Sequence, residues 1–132
     1  MFTFKKVVLP VFLAGVWISI SEFVRNEFLL KSYWISHYQS MDLVFPSEPI
    51  NGAVWGIWSM CFAAGIFILL QKFSFWQTVM LSWFFGFVLM WLVVGNMGVL
   101  PFSILLYALP LSILECLVAV FIIKQLTHQK DI

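Results

Sequence analysis

The stretch that decides the fold is "FSILLYALPLSILECLVAVFII", residues 102–123, which carries a single charged side chain, Glu115. A helix rises ~1.5 Å per residue, so about 20 apolar residues cross the hydrocarbon core of a bilayer, and this run is long enough. The acid within it is costly in any apolar surrounding. Its meaning depends on the solvent around the helix and on what else lies at the same depth.

The rest of the chain settles the solvent. Of 132 residues, 63% are hydrophobic and 10% charged, whereas a soluble domain averages about 45–50% and about 25%. A chain this short has too little interior to hide such a load and would expose large apolar patches in water. The net charge of +1 supplies no basic face for nucleic acid. Neither a GxGxxG, a P-loop nor a CxxC motif occurs, so the sequence implies no cofactor and no metal; Cys61 and Cys116 read as small packing residues inside apolar runs.

Three more stretches resemble the first, giving expected spans at 7–24, 51–70, 75–97 and 102–123. Lys5 and Lys6 precede the first, Ser47, Glu48 and Pro49 open the second, Gln71 and Lys72 part the second from the third, and Gly95, Gly98 and Pro101 part the third from the fourth. A cleavable leader ending near Ser19 and Ser21 is the weaker reading, because the apolar run continues through Phe23 and Val24. The expected fold is therefore all-α: one integral membrane domain over 1–132, an antiparallel four-helix transmembrane bundle. Basic residues orient it, since cytoplasmic loops retain Lys and Arg. With both termini in the cytoplasm, Lys5, Lys6, Lys72, Lys124 and Lys130 lie inside, and only Arg25 and Lys31 outside.

The one long connection follows the first span. As a helix it places Leu30, Trp34, Tyr38 and Met41 on one stripe, and its aromatics suit headgroup level. An interfacial helical segment between helices 1 and 2 is expected, with His37 beside the stripe as a hydrogen-bonding surface residue.

Rise per residue assigns two polar levels. Near the outer face it gathers Glu22, Arg25, Asn51 and Asn96, with both amides placed to close over the ion pair. Glu115 falls deeper, beside Gly15, Cys61, Ala63, Ser82 and Trp83, and Ser82 and Trp83 are its expected partners. Small-xxx-small pairs (Gly15 with Ser19, Gly52 with Gly56, Ser82 with Gly86) favour close helix approach. An ionised Glu facing lipid costs several kcal/mol, so Glu115 is expected to point inward as a protonatable site. Pro110, one turn above it, frees a backbone carbonyl and should kink the helix.

"NGAVWGIWS", "SWFFGFVLMWLVVGNMGVLP" and "PLSILECLVA", following "SYWISHYQSMDLVFPSEP", resemble a group of small bacterial four-span integral membrane proteins with no assigned activity. The likeness covers about residues 15–123 and implies the same architecture in a bacterial inner membrane. An amide ending the third span and an acid in the fourth recur in that group, matching Asn96 and Glu115.

Two functions stay open. One is binding or transport of a small hydrophobic or cationic ligand, with Glu115 as the buried protonatable site, Ser82 and Trp83 beside it, and Glu22, Arg25, Asn51 and Asn96 as an entrance. The other is a non-catalytic accessory or assembly role, in a homo-oligomer or a larger membrane complex. Catalysis is the weakest, because Glu22 and Glu115 fall ~15 Å apart along the membrane normal by rise alone, too far for an acid and base pair.

Overall fold

Each apolar stretch forms a long helix. The computed structural model describes residues 4–127, in which α1 spans Phe4–Leu29, α2 Lys31–Ser40, α3 Pro49–Leu70, α4 Phe75–Asn96 and α5 Phe102–Thr127. All but α2 are long and apolar enough to cross a membrane, and no strand occurs among the described residues. The helices of α1 and α5 extend beyond the expected spans because polar residues at their ends continue the helical hydrogen bonding without needing lipid. Lys130, expected on the cytoplasmic side, lies outside the described residues.

Local chemistry sets the starts and stops. At α4 the Ser74 Oγ accepts from the Gln77 backbone N–H at 3.3 Å, while Gln77 Oε1 accepts from the Ser74 N–H at 3.1 Å, so two otherwise orphaned donors are satisfied. Glu48 and Asn51 form the same reciprocal pair at α3, ahead of Pro49 in the first turn. Helix α4 stops at a turn whose Gly98 takes φ 78°, a left-handed conformation that costs glycine little. Pro110 sits inside α5 without interrupting it.

Helix α1 packs along both α3 and α5, and α4 packs along α5. The shared core holds Ala14 and Ile18 of α1, Ala63 and Ile66 of α3, Phe87 of α4, and Ala119 of α5. Yet only 17% to 39% of each span's most apolar window is buried. The outward surface is as oily as the inside: Ile57 is 65% exposed, Leu92 68% and Leu106 75%. Water would not tolerate that surface, and lipid would. Four apolar helices of this length mark a membrane protein.

Helix α2 belongs to a second, smaller cluster. Leu30, at its start, is buried with Leu100, Ile104 and Ala108, and Tyr33 and Trp34 pack against them. His37 Nε2 lies 2.7 Å from the carbonyl oxygen of Gly98, which ties α2 to the turn between α4 and α5. Of the stripe read from the sequence, Leu30 and Trp34 dock into this cluster, and Trp34 and Tyr38 meet Phe45 of the following loop.

In lipid, helices gain little by hiding apolar surface from one another, so close packing matters more. A Cβ added to Gly86 would strike the ring of Phe62, whereas one added to Gly15 would strike the thioether end of Met60. A ring resists displacement and a methionine tip yields. Gly86→Ala should therefore destabilise by about 1–3 kcal/mol and Gly15→Ala by clearly less, read as loss of helicity during unfolding in mixed detergent micelles.

Candidate functional site

Toward its C-terminal end the backbone of α1 widens into a π-helical stretch, Val24–Leu29, and Glu22 just before it joins Arg25 and Asn26 within it as polar residues on the inward side. Glu22 and Arg25 sit three positions apart, so they meet on one face. Arg25 Nη2 lies 2.6 Å from Glu22 Oε1. Its other terminal nitrogen, Nη1, lies 3.7 Å from Glu115 Oε1 of α5. One guanidinium thus stands between two carboxyls, and all three side chains are buried: Glu22 is 4% exposed, Arg25 6% and Glu115 0%.

The surroundings complete the arrangement. Arg25 Cζ lies 5.2 Å from the centre of the Phe87 ring, a cation–π contact that partly replaces lost hydration. Trp17 Nε1–H donates to the backbone carbonyl of Glu115 at 3.0 Å and pins α1 to α5 beside the acid. Asn26 Nδ2 donates to Glu22 Oε2 at 3.1 Å, and Trp34 Nε1 of α2 donates to Asn26 Oδ1 at 3.1 Å. A continuous polar chain therefore runs from the small helix α2, through Asn26, Glu22 and Arg25, to Glu115.

The cluster is under-satisfied. Both Glu115 oxygens and Arg25 Nη1 are buried without a hydrogen-bond partner, and Glu22 Oε1 has only its ion pair with Arg25. At 3.7 Å the contact between Arg25 and Glu115 is too long for a hydrogen bond and too short to hold a water between them. Fully ionised, two acids against one base leave the site with a net negative charge in a low-dielectric interior, and one bound proton makes it neutral.

Several expectations are corrected here. The two polar levels are one: Glu22 and Glu115 both touch Arg25, so the depth argument against their cooperating fails. Rise per residue placed the Cα atoms and ignored side-chain length and lean. Ser82 and Trp83 are not hydrogen-bond partners of the Glu115 carboxyl. Trp83 Nε1–H donates to Ser112 Oγ at 2.9 Å, about one turn away on α5, and Ser82 Oγ–H donates to the Thr78 carbonyl of its own helix at 2.7 Å, as a short hydroxyl in mid-helix commonly does. Asn51 does not close over the ion pair, since its side chain is spent on the cap of α3. Asn96 is exposed and has no side-chain hydrogen bond among the described residues. The amide that does cover Glu22 is Asn26. Its four-residue spacing from Glu22 was available as a signal; the contacts of Trp17, Trp34 and Phe87 had none.

Comparison of the chain with protein-family models, with curated proteins and with solved structures finds no match.

The cluster ranks its own substitutions. Guanidinium cannot shed its charge, whereas a carboxyl becomes neutral by taking a proton. Glu115→Gln leaves the Glu22–Arg25 pair balanced and should cost less than about 1.5 kcal/mol, the scale of one hydrogen bond. Arg25→Met should cost about 3–5 kcal/mol, and the double variant Glu22→Gln/Glu115→Gln, which strands a buried cation, at least as much. Denaturation midpoints in micelles at neutral pH check the order.

Proposed function

We propose that this protein is a four-helix transmembrane bundle with antiparallel neighbours and both termini in the cytoplasm of a bacterial inner membrane, and that it binds or transports a small hydrophobic cation in exchange for a proton at the Glu22–Arg25–Glu115 cluster. Gly15 meets Met60, while the earlier Val8, Val11 and Phe12 share a groove with the later Ala64 and Ile68, which supports opposed α1 and α3. The excess of lysines on the loops assigned to the inside supports the orientation.

One observation carries the functional reading: a buried base faces two acids, and both carboxylate oxygens of Glu115 lack a hydrogen-bond partner. Fully satisfied networks serve as packing devices, while an excess of buried acceptors suits a site that takes up a cation or a proton. A proton makes the cluster neutral; its departure leaves a negative charge that a lipophilic cation would balance, aided by nearby rings such as Phe87 and Trp91. The chain through Asn26 to Trp34 offers a way for α2 to respond to that exchange.

Because cation and proton compete, binding should strengthen as pH rises, by up to about tenfold per pH unit where one proton is exchanged. Tetraphenylphosphonium binding to the reconstituted protein, measured from pH 5 to pH 9, tests this. Glu115→Gln should abolish the pH dependence while the helical content stays the same. Binding that ignores pH in the unaltered protein, or an unchanged profile in that variant, would refute proton exchange.

A second reading, self-assembly, has its own support. Gly52 and Gly56 of α3 form a small-xxx-small pair facing open space, with no atom within 4 Å of an added Cβ. Such a face lets two backbones approach closely. If it pairs two copies, Gly52→Leu/Gly56→Leu should convert a cross-linkable dimer in bilayers into monomer; a protein already monomeric there dismisses the idea.

A further inference from the structure

Away from the buried cluster, α1 and α3 leave between them an open apolar groove with an accessible volume of about 460 Å³. Val8, Val11 and Phe12 form one wall and Met60, Ala64 and Ile68 the other. The lining is almost wholly hydrocarbon, as expected for a surface in contact with acyl chains. What sets this groove apart is its end. One helical turn before Val8 stands Lys5, with Lys6 next in sequence, and in the turn that follows α3, four residues after Ile68, stands Lys72. All three lysines are exposed, and among the described residues none pairs with a carboxylate. The only acidic groups that α1 and α3 carry, Glu22 and Glu27, sit toward the other end of α1, and Glu48 precedes α3 at that same far end.

We propose that this groove is a binding site for an anionic phospholipid, whose acyl chain lies along Val8, Val11, Phe12, Met60, Ala64 and Ile68 while its phosphate sits between Lys5, Lys6 and Lys72. Charge complementarity selects this occupant. A second copy of the chain would bring the same lysines against each other, and a zwitterionic lipid would present an ammonium group to them. A basic cluster at membrane level is worth about 1 kcal/mol per lysine toward an anionic lipid, or about fivefold in affinity. The site is independent of the proton-exchange reading, since no residue is shared.

Native mass spectrometry of the full chain, titrated with phosphatidylglycerol and with phosphatidylcholine of identical acyl chains, tests the proposal. One phosphatidylglycerol should be retained more tightly than phosphatidylcholine. Lys5→Gln/Lys72→Gln should cut that preference by about 25-fold if the two lysines act independently, and Ala64→Phe, which fills the groove, should displace the bound lipid whatever its charge. Circular dichroism confirms that each variant keeps its helices, and Lys31→Gln, far from the groove, serves as the charge control. Equal retention of the two lipids overturns the proposal. So does a preference that survives the lysine double variant, one lost equally in Lys31→Gln, or a dimer that buries the groove and carries no lipid.

Discussion

The side chain on which the most depends is Arg25, a permanent cation held away from water. It cannot be neutralised, so its position dictates that of its partners: an acid three residues back on its own helix and another on α5 must both come within reach. Phe87 of α4 closes the remaining side with its ring. Three helices are thereby committed to one point. Removing the base, or both acids together, leaves an uncompensated charge in oil, which is expensive.

That point is joined to the small helix α2 through hydrogen bonds rather than through packing. Asn26 receives the indole N–H of Trp34 on its carbonyl and gives its amide hydrogen to Glu22. The other anchors of α2, the Leu30 cluster and the contact of His37 with Gly98, do not touch the acids. The small helix is therefore fastened twice, once to the turn between α4 and α5 and once to the ion cluster. This division gives the buried chemistry a connection to the surface without opening the core.

Elsewhere the bundle obeys the physics of packing in lipid. Close approach at Gly15 and Gly86 fits thin backbones against Met60 and Phe62, and the outward faces remain apolar because nothing drives them inward. The same physics leaves two different faces on α3: an open glycine pair on one side, and the groove shared with α1 on the other.

Composition and the spacing of apolar runs determined the solvent, the four long helices and most of their ends, because these depend on local chemistry: an 18- to 25-residue apolar run in a helix satisfies its own backbone in lipid, and Ser74 with Gln77 or Pro49 after Glu48 start a helix wherever they occur. The residues of the polar cluster were visible as well, but not who would meet whom. Helical side chains lean toward the N-terminus of their own helix. Arg25 therefore reaches back along α1 toward Trp17, which is where the Glu115 backbone lies, while Asn51 turns to its own cap and Ser82 to its own helix. Which of several competing partners a long side chain takes is a matter of direction and distance between helices, and only the assembled tertiary structure decides that.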